Sequence, residues 1–309
     1  MKQIVVTGGA GFIGSHLAEK LVDRGYDVTV LDDLSTGKME NIAALVEKKT
    51  VRFVKGSITD LSLLREVFQG IDAVFHEGAL SRVPRSVNDP LTCNEVNITG
   101  TLNVLMAARD SKVKKVVYAS SSSVYGETDR LPETEDLPTN PLSPYALGKL
   151  AGEMYCEIFR HIYGVPTVSL RYFNVYGTRL DPESNYATAI PVFINRVARG
   201  LPPVIFGDGE QTRDFTYIED VVQANLTFLE NEAEGVFNIG SGERVSVNYL
   251  AEQVIGILGK TMKPEYQPPR PGDPKHTLAD ISRARSFGYD PKWPLARGLR
   301  ELIRQLNLG

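Results

Sequence analysis

Apolar residues in the first half of the chain fall into short solid runs, separated by longer stretches where they recur every three or four positions. Ile4-Val5-Val6, Val28-Thr29-Val30-Leu31 and Val116-Val117-Tyr118 are runs of the first kind. A β-branched run without polar alternation is what a strand buried on both faces requires. Such runs predict strands at 2–7, 27–31, 51–54, 73–76, 115–120 and 167–172. The intervening stretches predict helices near 12–24, 61–69, 91–110 and 144–163. Strands alternating with helices build the α/β class, here a doubly wound parallel sheet.

Beyond Arg171 the texture changes. Pro182, Pro191, Gly200, Pro202, Pro203, Gly207 and Gly209 interrupt the chain. Helical spacing persists near 187–199, 219–231, 247–258 and 295–306, and the proline-dense stretch 264–274 is expected to run as an extended surface loop. The expected division is a sheet domain over 1–175 and a smaller α/β substrate-binding domain over 176–211 and 241–309. Residues 212–240 are expected to return to the first sheet, with Val236-Phe237-Asn238-Ile239 as the returning strand.

Composition narrows the function classes. Of 309 residues, 42% are apolar, as in an ordinary globular protein. A formal charge of −4 with no basic patch argues against nucleic acid as the ligand. Cys93 and Cys156 have no metal spacing and read as reduced, buried thiols, so no metal is expected. No leader pattern opens the chain and no apolar run approaches membrane-spanning length, so the cytoplasm is the expected location, with no membrane partner.

Chemistry begins where the first strand ends. Thr7-Gly8-Gly9-Ala10-Gly11-Phe12-Ile13-Gly14 places three spaced glycines between a strand and a helix. Gly8 permits a tight turn, Gly11 lets backbone amides approach a pyrophosphate, and Gly14 lets the helix pack close to the strand. The helix N-terminus then favours an anion. The second strand ends at Asp32, whose carboxylate can accept hydrogen bonds from both adenosine ribose hydroxyls. A 2′-phosphate would be repelled there, and Asp33 follows rather than arginine, which favours NAD over NADP.

Two further runs carry reactive side chains. Ser143 and Pro144 are a good N-cap and first-turn residue for a helix that carries Tyr145 and, one turn later, Lys149. A phenol is an idle base at neutral pH. The lysine ammonium and the helix N-terminus are expected to favour its ionised form, so that it takes a proton from a sugar or alcohol hydroxyl. Lys149 is also placed to hold a nicotinamide ribose. The run Ser120-Ser121-Ser122-Ser123 lies at the carboxyl end of the fifth strand, where parallel sheets bind ligands.

Together these residues resemble the extended short-chain dehydrogenase/reductases, a Rossmann-fold superfamily, and within it the nucleotide-sugar 4-epimerases. The glycine run matches the family's Thr-Gly-x-x-Gly-x-x-Gly, and Tyr145 and Lys149 match its catalytic Tyr-x-x-x-Lys. Counting back from Val124-Tyr125-Gly126, Ser121 takes the place of its catalytic Ser/Thr. Arg171-Tyr172-Phe173-Asn174 matches the run whose asparagine holds the substrate diphosphate. Arg213-Asp214-Phe215 and Arg270-Pro271-Gly272-Asp273 match two UDP-binding runs. The resemblance further implies cofactor contacts at Phe12, Ile13, Ser57 and Ile58. It implies UDP-sugar contacts at Ser122, Ser123, Thr188, Ala189, Arg213, Arg270 and Asp273, and a homodimer through helices 91–110 and 144–163.

What the likeness implies is a 4-epimerase with resident NAD. Tyr145 takes the proton of the carbon 4 hydroxyl, Ser121 bonds the same oxygen, and the 4-keto sugar turns before it is reduced on its other face. In this family a position a few residues past the Arg-x-Gly-Asp run gates the space beside carbon 2. The matching residue is Thr277, small enough to admit an N-acetyl group. The implied substrates are therefore UDP-GlcNAc/UDP-GalNAc, with UDP-glucose/UDP-galactose beside them.

Two positions depart from the pattern. Ser57 stands where the family has an aspartate for the adenine amino group, and Glu77 follows His76 where Glu is unusual. The nucleotide-sugar dehydratases and UDP-glucuronate decarboxylases share the fold, but they place carboxylates near Ser122 and Ser123, which cannot do that acid–base work. UDP-glucuronate 4-epimerases tend to carry Thr at the position of Asn174 and Arg at that of Asp181, and Asp181 would repel the substrate carboxylate. A non-catalytic NAD-binding scaffold is disfavoured by the intact Ser121, Tyr145 and Lys149.

Overall fold

The structure, a computed structural model, describes residues 2–180, 188–269 and 275–308. Its centre is a seven-stranded parallel sheet. Six strands come from the apolar runs: β1 (Gln3–Thr7), β2 (Asp27–Asp32), β3 (Val51–Lys55), β4 (Ala73–His76), β5 (Lys115–Ser121) and β6 (Thr167–Tyr172). The seventh is the returning segment Gly235–Ile239, which pairs in parallel with β6. Across the sheet the order is Gly235–Ile239, β6, β5, β4, β1, β2, β3. The order reverses between β1 and β4, so their carboxyl ends open the crevice where such sheets take ligands.

Burial explains why most of these runs are solidly apolar, whereas β6 alternates Thr167, Ser169 and Arg171 with Val168, Leu170 and Tyr172 and buries them all. β5 and β6 are buried at every position. One face packs Leu17, Leu21, Val30, Phe75, Leu170 and Phe228 into a core that continues to the C-terminal helix. The other packs Val5, Val74, Val116, Leu105 and Phe159. The helix Pro144–Tyr163 starts where Ser143 accepts a hydrogen bond from the amide of Ala146 and ends at Gly164 in the left-handed conformation.

The predicted helix at 91–110 is real but not uniform. Pro90–Asn94 leads into a π-turn over Glu95–Gly100 and then into the α-helix Thr101–Asp110. The wider turn brings the Asn97 side chain to the backbone of Leu80. Its oxygen accepts from the Leu80 amide at 2.7 Å and its amide donates to the Leu80 carbonyl at 3.1 Å. The turn thus ties down the loop that follows β4. Helices over Ala43–Glu47, Val83–Asn88 and Ser282–Ser286 were not expected, each being too short to show a period.

The remaining strands form two-stranded ribbons. Val175–Tyr176 pairs with Thr216–Tyr217, Thr212–Arg213 with Val245–Ser246, and Val204–Phe206 with Glu265–Gln267. Within the expected loop at 264–274, Glu265–Gln267 is an exposed strand, Pro264, Pro268 and Pro269 are irregular, and 270–274 lie outside the described residues. Among the described residues no helix is long and apolar enough to cross a membrane and no cluster of metal-ligating side chains occurs.

Candidate active site

The glycine turn has no room for side chains. Gly8 has φ +66°, and a Cβ there would stand 2.6 Å from Gly78 Cα. A Cβ on Gly14 would stand 2.3 Å from the Gly8 carbonyl oxygen. The helix α1 (Phe12–Asp23) begins at Gly11 without any side-chain cap and without an acidic residue in its first turn. Its first amides, at Phe12, Ile13 and Gly14, therefore have no partner within the helix. Asp32 closes the other side of the turn. Its carboxylate accepts the amide hydrogens of Ala10 at 3.0 Å and Leu34 at 2.8 Å. Burial pushes its pKa up from the usual range and these two bonds oppose the shift.

These features fit NAD. The cradle admits a pyrophosphate at a bare helix N-terminus, and a buried carboxylate ends β2 at the ribose position. Ser57 lies past β3, its hydroxyl accepting from the Thr59 amide and hydroxyl. Ile58 is buried against Gly100, where a Cβ would come within 2.8 Å of it.

The reactive side chains meet at the carboxyl ends of β4, β5 and β6. Ser121 ends β5 directly opposite Tyr172 of β6. Its hydroxyl donates to Ser123 at 3.1 Å and accepts the Ser123 amide hydrogen, which caps the tight turn Ser122–Tyr125. Tyr145 lies in the first turn of Pro144–Tyr163, its amide bound to the Ser86 hydroxyl at 3.1 Å. Burial pushes the Tyr145 phenol above its ordinary value, while the Ser121 hydroxyl and the Arg82 guanidinium draw it down. This corrects the expectation that Lys149 and the helix N-terminus keep it ionised. Lys149 is buried, donates to the Ala119 carbonyl at 2.6 Å and faces the Tyr118 ring at 5.1 Å. Burial lowers it to about 8 and the Glu77 carboxylate opposes that shift.

Glu77 and Arg82 are the residues that the sequence did not mark as partners. Glu77 accepts a hydrogen bond from Tyr172, 95 positions away. Arg82 stands at φ +88° ahead of Val83–Asn88, facing Tyr145. The only sequence signal for either was the unusual acid after His76. Beneath them Arg171 donates to both oxygens of Glu153, at 2.9 and 2.7 Å, and Ser120 donates to the same carboxylate.

The candidate substrate residues converge from the other side. Asn174, at φ +30°, donates to the Asp214 carbonyl at 3.0 Å and to the Thr277 hydroxyl at 3.3 Å. Thr277 is only 7% exposed, and its amide donates to the Thr212 carbonyl. Arg213 lies on the ribbon beside Val245 and donates to the carbonyls of Thr212 and Lys275. Thr188 is exposed at the head of the helix Ala189–Ala198. Asp181, Arg270 and Asp273 lie outside the described residues.

Comparison with known proteins agrees with this geometry. The profile of the NAD dependent epimerase/dehydratase family matches residues 4–240. A UDP-glucose 4-epimerase of Mycolicibacterium smegmatis is 40% identical over 304 residues, covering 97% of this chain and 96% of the relative. A solved UDP-N-acetylglucosamine 4-epimerase from Methanobrevibacter ruminantium, in complex with UDP-N-acetylmuramic acid, superposes with TM-score 0.96 at 40% identity, covering 99% and 98% of the two chains. A UDP-glucuronic acid 4-epimerase from Bacillus cereus, solved with UDP-glucuronic acid and NAD, superposes with TM-score 0.90 at 37% identity over 98% and 99%.

Proposed function

The chain belongs to the NAD-dependent epimerase/dehydratase family, and from that premise we propose that it inverts carbon 4 of a UDP-hexose. The observation that carries the reading is the facing pair of hydroxyls, Ser121 at the end of β5 and Tyr145 in the first turn of its helix, with serines rather than carboxylates at 122 and 123. A dehydratase or decarboxylase needs further acid–base groups beside that pair; two serines supply none. Bound NAD supplies reversible oxidation at the sugar carbon. The chain supplies the proton path and the grip. Tyr145 in its protonated form gives a proton to the carbon 4 oxygen and in its ionised form takes one. Ser121 bonds the same oxygen, and Ser122 and Ser123 line the approach. Lys149 offers N–H donors on the cofactor side. Arg213 and Asn174, with Arg270 and Asp273, hold the nucleotide, so that the sugar alone is free to turn. Thr188 and Ala189 flank the nucleotide.

Thr277 selects the sugar. A threonine beside Asn174 leaves volume next to carbon 2, so the N-acetylated pair UDP-GlcNAc/UDP-GalNAc is admitted together with UDP-glucose/UDP-galactose. We also read the helix Pro144–Tyr163 as half of a homodimer seam. Leu147, Met154, Ile158 and Ile162 are 43–69% exposed at helical spacing on one face, and Leu91, 83% exposed, lies on Pro90–Asn94, which packs against this helix. Incubation with UDP-GlcNAc, UDP-glucose and UDP-glucuronate, read by product NMR, tests the assignment. Conversion of the first two is expected. Conversion of UDP-glucuronate alone would replace the reading, and sedimentation of the same preparation at the mass of one chain would remove the dimer.

A further inference from the structure

One rung below the reactive hydroxyls, three neighbouring strands carry polar residues at the same register. Ser120 of β5 lies opposite Arg171 of β6, and Arg171 lies opposite Asn238 of the returning strand. The next rung holds Ser121 and Tyr172. A parallel sheet covered on both faces ordinarily fills such positions with apolar side chains. Here all three polar residues are buried, and the helix Pro144–Tyr163 brings Glu153 against the first two.

Arg171 Nε and Nη2 donate to the two oxygens of Glu153 at 2.9 and 2.7 Å, a fork upon a fork. Ser120 adds a third donor to the same carboxylate. The Glu153 and Arg171 side chains are 4% and 5% exposed. The guanidinium lies 4.7 Å from the centre of the Tyr125 ring, whose hydroxyl donates to Asn238 at 2.7 Å. Asn238 in turn donates to the carbonyls of Glu133 and Asp280, at 2.8 and 3.2 Å. Stability alone does not explain such a pair. Two charges this far from water lose solvation that their attraction barely offsets, and apolar residues of similar volume serve a core as well or better. What a bidentate pair supplies, and an apolar contact does not, is a fixed distance and orientation.

The two partners stand next to the residues that carry the chemistry. Glu153 lies one turn beyond Lys149 and two turns beyond Tyr145 in the same helix. Ser120 directly precedes Ser121 in β5. The helix is seated on β5 a second time within that turn. The Tyr118 hydroxyl donates to the Lys149 carbonyl at 3.2 Å, and Gly152 leaves the room for it, since a Cβ there would collide with that hydroxyl. We propose that Glu153 and Arg171 are positioning residues, a buried two-point clamp that fixes the helix carrying Tyr145 and Lys149 against the strand end carrying Ser121. The role is transmitted through the helix and the strand. Its consequence for turnover rests on the epimerase reading; the placement of the helix does not.

The test replaces the clamp in the full chain by apolar side chains. The triple variant Ser120→Ala, Glu153→Leu, Arg171→Met removes one charge of each sign, so the net charge beside the site is unchanged. It is expected to fold with a melting temperature near that of wild type. On the UDP-hexose that wild type converts, its kcat is expected to fall about tenfold or more while KM stays within about twofold. In crystal structures of the two proteins, Tyr145 is expected to differ in position relative to Ser121 by about 0.5 Å or more. Arg171→Lys keeps the charge but offers a point where the fork was, so a smaller fall in kcat, again at constant KM, is expected. A folded triple variant with wild-type kcat, or with Tyr145 unmoved, overturns the proposal. Should the triple variant not fold, Arg171→Lys decides, and wild-type turnover in it overturns the proposal. Wild-type protein that converts no UDP-hexose would sink the epimerase reading, and the position of Tyr145 in the variants would still decide the clamp.

Discussion

Ser121 and Asn174 sit on opposite sides of the same crevice and are positioned by different physics. Ser121 is the last residue of a strand buried along its whole length, and its place follows from register with β6. Asn174 lies just past β6, at φ +30°, before a strand of only two residues. Its amide is held by the Asp214 carbonyl and the Thr277 hydroxyl. Asp214 is completely buried and accepts from the Ser241, Gly242 and Ala279 amides. The Glu133 carboxylate, also buried, accepts from the Leu278 amide. Where the sheet is long, backbone ladders do the positioning and side chains at its edge remain available for chemistry. Where ribbons have two or three residues, buried carboxyls do the positioning. Burial raises Asp214 to about 6 and Glu133 to about 7.

The largest effect is expected on the ladder side. Tyr145→Phe removes the group proposed to exchange a proton with the carbon 4 oxygen and leaves the helix cap and the sheet untouched. The turnover number is expected to fall by about a hundredfold or more. UDP-sugar binding, followed by calorimetry, should be retained. Near wild-type turnover would show that the sheet edge does not carry the proton path.

That side was also the more legible in the sequence. β1, β2, β4, β5 and the returning strand read directly as mostly apolar runs, as burial on both faces demands, while β3 and β6 interleave Arg52, Ser169 and Arg171 with apolar residues. Tyr145, Lys149 and Ser121 were marked by their places after such runs. What could not be read were roles set by distant partners. Glu77 was visible only as an oddity, since Tyr172 and Asn225, which hold it, come from other elements. The Tyr145 phenol was expected to be drawn down by a neighbour in sequence, yet burial, a property of the whole fold, decides its direction. Two-residue strands carry no periodicity, so the ribbons and the buried acid Glu133 gave no signal.

On the ribbon side the sharper expectation concerns choice of sugar. Thr277 is buried against Asn174 and its amide is tied to Thr212. Thr277→Tyr puts an aromatic ring where the proposed function has the space beside carbon 2. Turnover of UDP-GlcNAc should drop about tenfold or more relative to UDP-glucose, measured as the ratio of kcat/KM values. Equal losses on both sugars would mean that the substitution disturbs the Asn174 contact and that residue 277 does not gate the pocket.

The smallest effect tests whether the buried carboxyls hold the ribbons at a cost. Glu133 has its pKa raised from 4.5 to about 7, mainly by burial and further by Asp214, with the Leu278 amide and Arg213 opposing. An acid raised in the folded state binds its proton more tightly folded than unfolded. Between pH 4.5 and 7 the unfolded chain therefore holds fewer protons at this site, and stability falls as pH rises through that window. Below it the penalty is absent, and above it the penalty is constant. Glu133→Gln keeps an acceptor for the Leu278 amide and removes the titration. The variant's melting temperature relative to wild type should then rise between pH 5 and pH 8, by an amount corresponding to roughly 2 kcal/mol. The neighbouring Asp214 carboxyl titrates in both proteins and is relieved in the variant, which adds to the rise with the same sign. A difference in melting temperature that stays flat across this range would mean that Glu133 carries no proton-linked penalty, and that backbone pairing with Ala279 alone secures residues 277–280.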